Sequence, residues 1–200
     1  MRKLFFAAFG AAVFFMFLIL QVSCTGNEEN KTLTKDEMIA RGKYLVSFGG
    51  CNDCHTPKVN TDMGPMPDTT RLLSGFTSGE ILPAADVSMT KPGQWILMND
   101  NITAFVGPWG ISYAANLTPD NATGTGAMSE EMFIKTLKEG KWMGVGRPLL
   151  PPMPWQPIGA TLKDEDLKCI YAYLQSLKPI HNEVPQPVPP DKIGEVLAKK

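Results

Sequence analysis

Cys51-Asn52-Asp53-Cys54-His55 is the stretch on which the reading of this chain turns. Two cysteines three positions apart, followed directly by histidine, form the attachment pattern for a c-type haem. The thiols add across the haem vinyl groups as thioethers, and the adjoining imidazole supplies one axial ligand to the iron. Two other chemistries use paired cysteines. A zinc site wants four ligands, and beyond these residues and Cys24 the chain offers only Cys169 and His181. A thioredoxin-like pair wants a βαβ surround, whereas glycine, proline and methionine crowd this one. The residues favour one covalent haem c on Cys51 and Cys54, with His55 on the iron.

Upstream of the motif, Thr34 and Glu37 make a capping-box pattern that opens a helix. Met38, Ile39, Tyr44, Leu45 and Phe48 fall near one stripe of it, and Gly49-Gly50 ends it just before Cys51. Residues 24–33 are polar and read as a tether. Before them, Arg2 and Lys3 precede an uncharged apolar run from Leu4 to Leu20, the pattern of a signal peptide over residues 1–23. Val22-Ser23-Cys24 resembles the lipobox of bacterial lipoproteins, although Gln21 stands where an aliphatic residue is usual. Cleavage before Cys24 would leave that cysteine to carry lipid. Acyl chains contribute about 0.8 kcal/mol per buried CH₂, so two or more hold a domain on a bilayer. The expected location is the bacterial cell envelope, membrane-anchored and facing the periplasm. With Cys24 lipidated and Cys51 and Cys54 on haem, Cys169 is left without a disulfide partner and reads as a small core residue.

Downstream, residues 56–127 are rich in turn signals, among them Gly64-Pro65, Lys91-Pro92-Gly93 and Gly107-Pro108. Ile81-Leu82 and Trp95-Ile96-Leu97 read as short strands at most. So long a loop region needs something to pack on, and a haem face would serve. Ser129 with Glu130 and Glu131 marks a helix start, and Gly140 its end. Leu167, Ile170, Tyr171, Leu174 and Leu177 sit at helical spacing over 164–178, closed by Pro179. Residues 181–200 read as a tail, proline-rich and then charged, with a disordered end expected from Asp191. The main domain is expected over 34–180. The chain has 200 residues and a net charge of −1, which gives no electrostatic case for a nucleic-acid partner. The motif occurs once and no internal repeat is found, so one haem is expected.

An electron-carrying haem needs a sixth ligand, usually Met or His. His181 lies beyond the last helix beside the proline-rich tail, which disfavours it. Met132 fits the apolar face of its helix, and Met143 follows a helix end. Met153 lies in Pro151-Pro152-Met153-Pro154-Trp155, where flanking prolines restrict the backbone enough to hold a thioether at fixed geometry. The residues place Met153 ahead of Met143 without excluding the latter. The outer nitrogen of His55 should donate to a backbone carbonyl, with Pro57, Pro65 and Pro67 as nearby candidates.

Several motifs occur in one order: Cys51–His55, then Asn116-Leu117-Thr118-Pro119-Asp120 with Thr123-Gly124-Thr125-Gly126, then Pro151–Trp155, then Asp164-Glu165-Asp166-Leu167 through Tyr171-Ala172-Tyr173-Leu174. Over residues 34–180 they resemble the single-haem, class I-like domains of bacterial cytochromes c, particularly the cytochrome subunits of membrane-bound sugar and alcohol dehydrogenases. The resemblance implies an all-α fold of short helices around one haem, with long loop insertions and Met153 as distal ligand. It departs at Cys169, where Ala is common, and at Thr125, where an aliphatic residue is common. The dehydrogenase subunits usually carry several haem domains. The function implied is electron transfer: one haem cycling between ferric and ferrous with His55/Met153 ligation, no catalytic residues, and a redox partner that is a dehydrogenase, a quinol-oxidising complex or a terminal oxidase. The rival readings are a five-coordinate haem enzyme or gas sensor, and a haem-free metal or thiol module.

Overall fold

The computed structural model describes residues 32–197, and the chain from Thr34 onward forms one compact unit. The expected signal peptide over residues 1–23, the expected lipidation site Cys24 and nearly all of the expected tether lie outside the described residues.

Helix α1 spans Lys35–Phe48 and opens on the capping box that its sequence requires. The Thr34 backbone N–H donates to Glu37 Oε2 at 2.8 Å, and the Glu37 N–H donates to Thr34 Oγ1 at 3.3 Å. Two backbone donors at the helix start are thereby satisfied. After Gly49-Gly50 comes the one-turn helix α2, Cys51–His55. Helix α3 spans Glu130–Glu139, capped by Ser129 at one end and by left-handed Gly140 at the other. Helix α4 is Trp155–Thr161 and α5 is Asp164–Gln175.

Helices α1 and α5 form the principal helix pair. Gly42 makes their close approach possible: a Cβ there would overlap the Cys169 carbonyl and lie 2.8 Å from Tyr173 Cβ. Arg41 and Asp166 tie the rim of the crossing, with Nε to Oδ1 at 2.7 Å. Val46, Leu73, Phe133, Leu167, Ile170 and Leu174 pack as the main core. Cys169 is buried in the helix pair, as expected of a small core residue.

The all-α expectation is corrected by what lies between α2 and α3. Lys58–Thr61 (β1) and Gly64–Pro67 (β2) form an antiparallel hairpin, with Val59 opposite Met66. Leu97–Met98 (β3), Ala104–Gly107 (β4) and Gly110–Tyr113 (β5) form a three-stranded antiparallel sheet in that order. All four residues of β4 are buried. Backbone buried to that degree must find partners, and the Gly107–Gly110 turn supplies them by folding Val106 against Ile111. Of the two short strands expected from apolar patches, only the second has a counterpart, at Leu97–Met98; Ile81 and Leu82 are in no regular element.

The segment after Pro179 also differs from the expected loose tail. Val188 exchanges two backbone hydrogen bonds with Ile111, at 2.8 and 3.0 Å. Gly110, at φ 103°, lets Val188 approach, because a Cβ there would overlap the Val188 carbonyl. The Asn182 amide donates to Ser74 O and Phe76 O at 2.6 and 2.8 Å. A final helix, α6 (Ile193–Leu197), buries Ile193 and Leu197 against Val106 and Ile111. The signal was Ile193 and Leu197 at i, i+4, and the charges among them outweighed it in the sequence reading.

Candidate functional site

A cavity of about 380 Å³ lies beside α2, within the ~300–1,000 Å³ typical of cofactor sites. Cys51, Cys54 and His55 enter it from α2, and Met153 enters from the proline-bounded segment after α3. The rest of the lining is mainly apolar, including Phe105 and Tyr113 from the β4–β5 hairpin and Phe133 from α3. The sheet missing from the sequence reading is thus one wall of the site.

His55 is buried at the end of α2, with Nδ1 2.8 Å from the Ala115 carbonyl oxygen. A carbonyl only accepts, so Nδ1 carries the hydrogen and donates it, and the Nε2 lone pair is left free. Burial pulls the imidazole pKa below its usual value, with the Ala115 carbonyl opposing and the Lys58 charge assisting. A neutral ring with one nitrogen fixed by a carbonyl is the form in which histidine ligates metal. The expected carbonyl partner is present, but it belongs to Ala115 and not to Pro57, Pro65 or Pro67.

Cys51 and Cys54 are unbridged and half-buried. Burial raises both thiol pKa values, and the Asp53 charge adds to the rise. Such thiols stay protonated more readily than a free cysteine. Among the described residues, no cluster of three or more His, Cys, Asp and Glu is arranged to hold a metal ion. Cys169 is buried in α5, and the exposed His181 faces Asp120 at 3.5 Å, so neither joins the cavity to complete a zinc site.

Met153 is half-buried and packs on the main core while lining the cavity. Its segment is fixed by two backbone bonds: the Met153 N–H donates to Leu150 O at 3.2 Å, and the Trp155 N–H donates to Met153 O at 2.9 Å. Met132 and Met143 pack on the core without lining the cavity. Met128, buried on the cavity wall, was not singled out from the sequence because nothing marks it apart from other core methionines.

The residues present fit a haem. Two thiols, an oriented neutral imidazole and a thioether converge on one apolar cradle. Arg147 also lines it, its guanidinium lying 6.0 Å from the Trp142 ring centre, and supplies a cationic donor for carboxylates such as haem propionates.

The known proteins this chain is similar to include cytochrome subunits of dehydrogenases. The chain is 33% identical over 138 residues to the gluconate 2-dehydrogenase cytochrome c subunit of Pantoea cypripedii, covering 69% of this chain and 23% of that one. It is 36% identical over 150 residues to the fructose dehydrogenase cytochrome subunit of Gluconobacter japonicus, covering 74% and 23%. A shorter match, 36% over 74 residues, is to the cytochrome c subunit of the quinone-dependent alcohol dehydrogenase of Gluconobacter oxydans, covering 36% and 15%. The aligned part is therefore less than a quarter of each of these relatives' length. No family model matches. The chain carries a cytochrome c-like domain.

Proposed function

We propose that this protein is a membrane-tethered, periplasm-facing electron carrier with one covalent haem c. The observation that carries the proposal is the convergence of Cys51, Cys54, His55 and Met153 on one cavity, with His55 Nδ1 already engaged by Ala115. When bound, the haem supplies reversible one-electron chemistry at iron. Cys51 and Cys54 hold it through thioethers, so it does not dissociate between redox cycles. His55 Nε2 and the Met153 sulfur would hold the iron, which would leave no position for a substrate. A thioether ligand raises the potential relative to a second histidine. The apolar walls exclude water.

The redox partner is a dehydrogenase. This reading is supported by relatives named as cytochrome subunits of gluconate 2-dehydrogenase, fructose dehydrogenase and quinone-dependent alcohol dehydrogenase. Cys24 carries the lipid that tethers the domain. Among the described residues no helix is long and apolar enough to cross a membrane.

The test is expression with haem-maturation machinery, followed by denaturing electrophoresis with haem staining. The stain should co-migrate with the polypeptide and vanish in the Cys51→Ala, Cys54→Ala double variant. The purified protein should then titrate as a single one-electron couple. Bare thiols at Cys51 and Cys54 under those conditions would overturn the proposal.

A further inference from the structure

A half-buried cation with no part in holding the haem lies beside the site. Lys58, at the start of β1, is half-buried three residues beyond His55. Its Nζ donates to three backbone carbonyls: Thr56 O at 2.5 Å, Asp53 O at 2.7 Å and Asn101 O at 3.1 Å. All three ammonium hydrogens are therefore used, and all three partners are acceptors, so the cage requires the charged form. Two of the acceptors, Asp53 and Thr56, belong to α2 and its C-cap. The cation thus sits where the carbonyl end of a helix favours positive charge. The third comes from the 99–102 turn between β3 and β4.

That turn is itself anchored. The Lys58 backbone N–H donates to Asn101 Oδ1 at 3.2 Å, and Asn101 Nδ2 donates to the Glu80 carboxylate, 3.2 Å from either oxygen. Asn99 Nδ2 reaches Glu80 Oε1 at 2.9 Å. Lys58 cannot swing into solvent without breaking this frame. Its Nζ lies against the carbonyls of Asp53 and Thr56, the residues that flank Cys54 and His55.

We propose that Lys58 is a potential-setting residue: an ammonium fixed at the carbonyl end of the haem-attachment helix that disfavours the oxidised haem and so raises the reduction potential. The inference rests on the haem c reading above. The couple is one electron, from ferric to ferrous, supplied by the redox partner; burial lowers the Lys58 pKa, and its three carbonyl acceptors favour the charged form against that effect. A positive charge held in a partly desolvated frame acts more strongly than one on a solvated side chain. The exposed Asp53 carboxylate and the Glu80 carboxylate behind Asn101 oppose it, which sets the sign of the companion variant.

The experiment is a spectroelectrochemical titration of the full-length holoprotein beside Lys58→Met, Lys58→Arg and Asp53→Asn, each checked for the far-red sulfur-to-iron band. Lys58→Met should shift the midpoint potential downward with the band retained. Lys58→Arg should keep most of the native potential, and Asp53→Asn should shift it upward. An unchanged potential in Lys58→Met would overturn the inference while leaving the haem reading intact. A shift that appears only with loss of the band, or that Lys58→Arg reproduces in full, would also overturn it, because the effect would then be structural. A native protein without covalent haem would instead overturn the haem reading itself.

Discussion

Gly42→Ala should destabilise this protein, although alanine is the better helix former. In an open helix position the change gains about 1 kcal/mol. At Gly42 the new Cβ overlaps the Cys169 carbonyl oxygen and stands 2.5 Å from its carbon and 2.8 Å from Tyr173 Cβ. Carbon atoms pack best at about 3.5–4.0 Å, so α1 and α5 must separate by about 1 Å. The obstacle is backbone and cannot rotate away. Overpacking of this kind costs about 1–3 kcal/mol, and a rigid obstacle belongs at the upper end. After the helix-propensity gain, a net loss of about 2 kcal/mol remains. At 2–4 °C per kcal/mol for a chain of this size, the midpoint should fall by about 4–8 °C. Gly194→Ala in α6 is the control of opposite sign, because nothing lies within 4 Å of a Cβ there; its midpoint should stay level or rise. Far-UV circular dichroism melts of the oxidised protein read both. A Gly42→Ala protein that melts at or above the parent would refute the proposed helix contact.

Other perturbations have equally definite outcomes. Asn116 is buried, donates to Ile180 O at 2.8 Å and accepts from the Thr118 N–H and hydroxyl at 3.0 and 2.7 Å. Asn116→Ala strands those groups at about 1–3 kcal/mol each where burial persists, and a urea midpoint unchanged from the parent would contradict this. Truncation after Pro189 removes Ile193 and Leu197, each at most 3% exposed, and about 1.5–3 kcal/mol of burial apiece. Limited proteolysis should then cut the β4–β5 region faster than in the intact chain. Hydrogen bonds from Thr70 and Arg71 hold the Asp68 carboxyl at about 2, below its usual 3.8. Its folded-state pKa is depressed, so its stabilising effect is present above about pH 4 and fades as pH falls through about 2. Asp68→Asn should narrow the difference in melting point between pH 5 and pH 2.5, and an unchanged difference would count against it.

Local signals were the legible ones. The Thr34–Glu37 capping box and the Ser129 cap involve residues within a few positions of one another and formed as expected, and the α5 stripe formed over Asp164–Gln175, short of the expected Lys178, with Leu177 outside the helix. The Cys51–His55 motif on α2 stands out in the sequence because haem attachment would need specific side chains at fixed spacing. Met153 was legible through its prolines and the family resemblance, and the fold brings it to the same cavity. The rest depends on distant backbone. The partner of His55 is a carbonyl at Ala115, and any residue there supplies the same oxygen. The acceptors of the Lys58 ammonium are likewise main-chain carbonyls that leave no mark on side-chain identity, and the Val188–Ile111 pairing marks the sequence only at Gly110. The β4–β5 hairpin did have a signal, apolar runs on either side of Gly107-Pro108-Trp109-Gly110, but its turn was read as one more interruption in a loop. The all-α expectation came from the family resemblance, and this hairpin is part of what corrects it.

The most direct test of the central claim is the visible spectrum of the purified protein, oxidised and reduced, beside Met153→Ala. The account expects a c-type haem spectrum with a far-red sulfur-to-iron band in the oxidised parent, and loss of that band in the variant with the haem still covalently attached. A parent that holds covalent haem but lacks the band, or a variant that keeps it, would contradict His55/Met153 ligation and with it the closed, electron-carrying site.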